Sequence, residues 1–201
     1  RRVNKKVSEI REDSKIELFN LDCMEGMKRY PNKYFELAIV DPPYGIDIEK
    51  HQSEMYELNV KINYGTWKKY DVKGWDNNIP DMLYFEELFR VSKHQIIWGG
   101  NYMLNFLGKA KCLLIWDKIQ RDNRADCEIA WTNFDKPSKL FSYSRCDAYI
   151  NDCDMKIHPT QKPVKLYEWL LKNYAKQGDK ILDTHLGSGS IAIACYNLDF
   201  D

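Results

Sequence analysis

The chain of 201 residues predicts an α/β protein built on one mostly parallel sheet. Short apolar runs recur along it between helical stretches, the alternation produced when strands return to a sheet through helices. Two of the runs stop abruptly at an aspartate, Asp41 in one case and Asp183 in the other, and the second passes through a glycine turn into an apolar helix. In an open α/β sheet ligands bind at the carboxyl ends of the strands, so both aspartates mark candidate sites.

The predicted strands are 15–19, 36–40, 95–98, 112–116, 128–131 and 180–182. Residues 81–91 read as a helix. So do 164–174, where Tyr167, Leu170, Leu171 and Tyr174 recur at i, i+3, i+4 and i+7. Pro163 stands at the first helical position, where a missing N–H costs nothing, and Gly178 closes that helix before the strand that leads to Asp183. The last helix is 191–196. Two stretches do not read as framework. One is 46–80, long, polar and aromatic with Gly65 and Gly74 as breakers; the other is 117–151. Segments of that length in a compact domain are usually functional or disordered.

With 44% hydrophobic and 13% aromatic residues, the chain can bury one sizeable core, and 1–201 reads as a single domain. Thirty basic residues balance thirty acidic ones, so net charge supplies no footprint for a polyanion and any such partner needs a local patch. Lys61, Lys68, Lys69 and Lys73 interleave with Tyr64, Trp67 and Tyr70, and Lys118, Arg121 and Arg124 form a second cluster; on charge alone a solvated surface is the simpler reading of either. Six scattered cysteines contain no C-x-x-C pair, which argues against a zinc site and a disulfide framework and fits a reduced, cytosolic setting with no metal. No apolar run approaches the length of a membrane span and no signal pattern is present, so neither membrane insertion nor export is expected.

Three constellations carry chemistry. In Asp41-Pro42-Pro43-Tyr44 the prolines end a strand because they offer no N–H to its ladder, which fixes a carboxylate beside a backbone carbonyl with an aromatic ring following. Those parts can accept two hydrogen bonds from an amino group while stacking on the ring that bears it. In 183–190 the strand ends at Asp183 and Gly187 and Gly189 let the backbone approach a ligand at a helix N-terminus, although a lone G-x-G is equally a tight turn. His158-Pro159-Thr160-Gln161-Lys162-Pro163 precedes a helix whose N-terminus, with Lys162, would suit a carboxylate; on its own an exposed capping segment is the safer reading.

Together these strings resemble the amino-methyltransferases of DNA, in the permuted β class of adenine-specific members, where the target-base motif precedes the cofactor motif. Asp41 to Tyr44 matches the D-P-P-Y motif and His158 to Pro163 the H-P-T-Q-K-P segment. Asp183 to Ser190 is similar to D-P-F-x-G-S-G-T, with Thr184-His185 in place of Pro-Phe. Asn20 to Met27 is similar to the acidic strand end that approaches the cofactor's adenine, and Ile97 to Tyr102 also matches phage-like and restriction-modification members. The resemblance implies a Rossmann-like methyltransferase fold, a doubly wound sheet with helices on both faces. It implies transfer of a methyl group from S-adenosylmethionine to the N6 amino group of an adenine flipped out of double-stranded DNA. Asp41, Pro42 and Tyr44 are then catalytic. Asp22, Thr160, Lys162, Asp183, His185, Gly187, Ser188, Gly189 and Ser190 hold the cofactor. Pro43 and Tyr44 meet the base, and Lys68, Lys69, Arg121 and Arg124, in the segments 46–80 and 117–151, contact DNA. A homodimer and a nucleoid-associated location in the cytoplasm are also compatible with the resemblance. The family's next strand, with its acidic ribose ligand, would begin where the chain ends, so a truncated C-terminus is expected. The alternatives are transfer to the amino group of cytosine, where serine is more usual than Asp41; RNA or protein amide methylation, where asparagine is more usual; and a non-catalytic DNA- or cofactor-binding fragment.

Overall fold

The apolar run Phe35–Val40 forms β1, whose side chains are buried on both faces of the sheet, as its unbroken hydrophobicity requires. The structure, a computed structural model, describes residues 16–61, 74–120, 125–144 and 160–200. β1 pairs in parallel with β2 (Ser92–Trp98), Ile39 opposite Ile96, and with β6 (Ile181–Leu182), Leu37 opposite Ile181. The far side of β2 takes β4 (Cys127–Thr132) antiparallel, Ile97 opposite Trp131. β4 pairs antiparallel with β3 (Leu113–Asp117), and β3 pairs in parallel with β5 (Lys139–Ser142). The order is β5-β3-β4-β2-β1-β6. Among the described residues five strands run one way and β4 alone runs against them, so the sheet is mostly parallel.

Alternation along the strands sorts the core into two layers. Leu37 and Ile39 of β1, Ile96 and Trp98 of β2 and Ala130 of β4 face α5 (Val164–Tyr174) and α6 (Ser190–Leu198), packing on Leu166, Leu170, Leu171, Ile191 and Ala194. Ala38, Val40, Ile97 and Trp131 face the other way, onto α1 (Cys23–Met27), α3 (Met82–Val91) and α4 (Leu104–Leu107), meeting Met27, Phe85, Leu88 and Leu107. A helix layer thus covers each face, as in a doubly wound α/β fold. The Asp81 carboxylate caps α3 by accepting the Tyr84 N–H at 3.1 Å, and Tyr84, Phe85, Leu88 and Val91 form its buried stripe. Leu88 has no exposure, so truncating it to alanine costs about 2–5 kcal/mol.

Three expectations change. Residues 16–19 of the predicted strand 15–19 form no regular element; Ile16 packs against the core, but Leu18 and Phe19 stay exposed, so the run is not covered as a strand of the sheet would be. Segment 46–80 contains a helix, α2 (Ile48–Lys61), and segment 117–151 supplies all of β4 and β5, so much of both is framework. Lys68 and Lys69, Arg121 and Arg124, and His158 and Pro159 lie outside the described residues. No helix among the described residues is long and apolar enough to cross a membrane.

Candidate active site

β1 delivers Asp41 to the carboxyl edge of the sheet, and β6, its parallel neighbour with Ala38 opposite Leu182, delivers Asp183 to the same edge. After the two prolines the chain folds back, and the Tyr44 hydroxyl donates to Asp41 Oδ1 at 2.6 Å. Asp76, only 2% exposed, holds this turn. Its Oδ1 accepts the N–H groups of Tyr44 (2.6 Å) and Gly45 (3.1 Å), and its Oδ2 accepts that of Ile48 (3.1 Å), the first residue of α2. One carboxylate therefore fixes the motif's exit and satisfies an orphan donor at the start of α2.

The Tyr44 ring stacks on Tyr102 at 5.3 Å and 19°. Gly99 lies beneath it with φ +68°, and a Cβ there would fall 2.1 Å from Tyr44 Cε1. A Cβ on Gly100 would fall 2.4 Å from the Trp131 Cβ. The glycine pair at the end of β2 thus lets one backbone pass between two aromatic residues.

The third partner is Lys162, whose side chain is 2% exposed. Its Nζ donates to Asp41 Oδ2 at 2.5 Å and to the Tyr44 hydroxyl at 3.1 Å, and pairs with Glu128 Oε2 at 3.0 Å. Glu128 Oε1 pairs in turn with Lys118 at 2.8 Å. The rings of Trp98 and Tyr44 lie 5.4 and 5.5 Å from the ammonium, which suits cation–π attraction. Burial alone would deprotonate Lys162, but Asp41 and Glu128 outweigh it and raise the ammonium above its ordinary range. Burial alone would raise Glu128; Lys162 and Lys118 prevail and bring it down to about 2. The result is a largely buried row of alternating charges, Lys118, Glu128, Lys162 and Asp41, with the partly exposed carboxylate at its end. The resemblance groups Lys162 with the cofactor residues; here its ammonium lies against Asp41 and Tyr44.

The surroundings of Asp183 are sparser. Its Oδ1 accepts the His185 N–H at 2.9 Å, and burial, with a smaller contribution from Asp41, pushes the carboxyl up to about 7. Thr184 Oγ1 lies 2.7 Å from the Tyr84 hydroxyl and 2.9 Å from His185 Nδ1, while the imidazole meets the Tyr84 ring edge-on at 5.5 Å. Burial lowers His185 to about 4, so the ring is neutral. Gly187 and Gly189 both have positive φ, and Gly189 precedes α6 with no side-chain cap. A Cβ on Gly189 would meet nothing within 4 Å, so the space over the loop is open. Ser188 and Ser190 hydroxyls lie 3.0 Å apart. Asp22 caps α1, accepting the Met24 N–H at 2.8 Å, and Thr160 sits in the turn before α5. Among the described residues, no group of three or more His, Cys, Asp or Glu could hold a metal ion.

The structure therefore joins Asp41, Tyr44 and Lys162 in one cluster, with Asp183 and His185 beside it. It adds residues that sequence reasoning missed: Asp76, Tyr84, Glu128 and, in a structural role, Gly99. Only Gly99 lies in a motif-like string; the others are single polar residues whose partners are remote in sequence.

The model of a family described as DNA methylase matches residues 92–200, just over half of the chain. The type II methyltransferase M.HpaI of Haemophilus parainfluenzae is 38% identical over 63 residues, 31% of this chain and 19% of that protein. The type II methyltransferase M2.MboI of Moraxella bovis is 22% identical over an alignment of 225 residues, 94% of this chain and 81% of that one. The chain thus aligns with about a fifth of the first relative's length and four fifths of the second's. The crystal structure of M1.HpyAVI in complex with SAM shares the fold, with a TM-score of 0.55 at 21% identity, over 91% of this chain and 89% of that one. With over half of its length matched by the family model, including the Lys162 segment and the Asp183 loop, the chain belongs to the DNA methylase family.

Proposed function

We propose that this chain methylates DNA at the exocyclic N6 amino group of adenine, using S-adenosylmethionine. The observation that carries the reading is the Asp41 carboxylate held at the sheet edge, beside the Pro42 carbonyl, by Tyr44 and Lys162. An amino group between the carboxylate and the carbonyl would donate one hydrogen to each, drawing its lone pair out of conjugation and aiming it away from them. Tyr44 supplies the stacking face, and a base using the face now covered by Tyr102 takes that ring's place. Because the amino group is paired in duplex DNA, the adenine must be flipped out to reach Asp41. Catalysis of this kind rests on positioning and fixed charges rather than on a strong base.

The loop residues fit the cofactor. Space is open above Gly189, the N–H groups at the start of α6 face no side-chain cap, and among the described residues no cation pairs with the desolvated Asp183, a place that a sulfonium or ammonium would fill. Bound there, S-adenosylmethionine supplies an electrophilic methyl group. Gly187, Ser188, Gly189 and Ser190 would hold its methionyl end, with Thr160 near them, and Asp22 would approach its adenine. Lys68 and Lys69, and Arg121 and Arg124, would meet DNA phosphates.

The family also includes enzymes that act on the N4 amino group of cytosine, which is the second reading. Mass spectrometry of nucleosides from DNA incubated with the protein and cofactor separates them: N6-methyladenine is expected, and N4-methylcytosine would replace the adenine reading with the cytosine one. Asp41→Ala should abolish product while leaving cofactor binding intact; near-normal turnover would remove Asp41 from the mechanism.

A further inference from the structure

Glu128 belongs to none of the motifs, yet the fold carries it to the centre of the site. β4 is the reversed strand, so its beginning, not its end, lies at the carboxyl edge of the sheet: Glu128 is opposite Trp116 and Ala130 opposite Trp98. Alternation puts Glu128 on the same face as Ala130, the face covered by α5, whose preceding segment brings in Lys162. Two strands of opposite direction thus place Asp41 and Glu128 on either side of one ammonium, at 2.5 and 3.0 Å.

The arrangement answers a problem of charge. Were Asp41 the only anion on Lys162, its charge would be spent on the ammonium and little would remain to attract an amino group. A second anion behind Lys162 leaves the row ending in a net negative carboxylate, and Lys118 on the far oxygen of Glu128 keeps the row neutral overall, which limits the cost of burying it. The ammonium donates hydrogen bonds to Asp41 and Tyr44, and its charge pairs with Glu128 Oε2 at 3.0 Å, a buried oxygen with no hydrogen bond of its own, so Glu128 holds it by charge.

We propose that Glu128 is a positioning residue of the base site, anchoring the Lys162 ammonium so that it holds Asp41 and Tyr44 ready to receive the target amino group. This rests on Asp41 being the acceptor in the reading above. The groups facing Lys162 are Asp41 and Tyr44 after β1, Glu128 from β4 and the Trp98 ring from β2; Asp183 after β6 acts on it at longer range, and Tyr167 of α5 feels the same carboxylates.

The test measures transfer of tritiated methyl groups from S-adenosylmethionine to unmethylated genomic DNA, as kcat and KM, from about pH 6 to about pH 10. Glu128→Gln should lower kcat about 100-fold with KM values little changed, as expected for a displaced acceptor. Its activity should also fall off at lower pH than the wild type's, because the buried ammonium has lost one of its two anions. Glu128→Asp, which keeps the charge but draws it back by one methylene, should restore the wild-type pH limit while kcat stays about tenfold below the wild type's. Thermal unfolding checks that the glutamine variant folds. Should it not fold, Glu128→Asp decides alone: kcat lowered at unchanged KM supports the proposal and unchanged kcat overturns it. Wild-type kcat and pH limit in a folded Glu128→Gln, alongside an inactive Asp41→Ala, overturn the role of Glu128 and leave the base-site reading standing. An active Asp41→Ala, or a wild type that transfers no methyl groups, overturns both.

Discussion

Asp41 and Asp183 end neighbouring parallel strands at one edge of the sheet, and their surroundings are opposite. Asp41 has a donor on each oxygen, the Tyr44 hydroxyl and the Lys162 ammonium, and that ammonium is held from behind by Glu128. Asp183 has the His185 N–H on one oxygen and, among the described residues, no cation in contact, and burial raises it to about 7. The first site is completed by the chain's own side chains. The second is built from glycines, backbone and a carboxylate with few partners among the described residues, and in the proposed function the cofactor completes it. The difference is what a two-substrate site needs: a rigid acceptor for a group that must be aimed, and an open floor for a ligand that brings its own charge.

Lys162→Met should break the comparison most severely. It leaves Asp41 and Glu128 without the cation between them, in a region where stranding a buried charge costs about 3 kcal/mol or more, so thermal stability falls and methyl transfer drops more than about 100-fold. Cofactor affinity, titrated by calorimetry, should change only modestly, because the ammonium lies on the base side. Loss of cofactor binding in a variant that melts like the wild type would return Lys162 to the cofactor, where the resemblance puts it.

Gly99→Ala probes the same rigidity from beneath. The added methyl would overlap the Tyr44 ring at 2.1 Å and sit on a backbone with φ +68°, so Tyr44 must move and the turn is strained by about 1 kcal/mol. Methyl transfer should fall about tenfold to about 100-fold while cofactor titration is unaffected. Unaltered transfer would mean that the position of Tyr44 is not critical.

Both aspartates were legible in the sequence, because prolines and glycines punctuate the strands that carry them. The strands flanking them and the two long amphipathic helices were legible for the same local reasons. α2 was not: residues 48–61 are mostly polar, and its start depends on Asp76, which follows in sequence and reaches back to the Ile48 N–H. The apolar run at 16–19 misled in the opposite sense, since Leu18 and Phe19 look like strand residues but stay more than half exposed. Glu128 was hidden because its meaning comes from strand reversal. A lone carboxylate at the head of an apolar run looks like a solvated edge until the antiparallel pairing turns that head toward Asp41.

The Asp183 half is sharpened by pH, with a smaller effect. Its folded value of about 7 lies above the ordinary 3.8, so the folded protein keeps a proton that the unfolded chain gives up. The stability from this group is therefore complete below about pH 3.8 and is lost as pH rises through about 7. His185 acts with the opposite sign: its folded value of about 4 lies below the ordinary 6.5, so its contribution is present above 6.5 and lost as pH falls toward 4. The two oppose each other between those limits, and near pH 7 Asp183 acts alone. A positively charged ligand over the loop favours ionised Asp183, so cofactor affinity should rise with pH up to about 7 and then level off, by about tenfold between pH 5.5 and pH 8. Calorimetric titration in two buffers of different ionisation heat should detect close to one proton released per cofactor at the lower pH and almost none at the higher. Equal affinity at both, with no proton released at either, would mean that the cofactor's positive charge does not rest on Asp183, and the contrast between the two aspartates would then be one of packing alone.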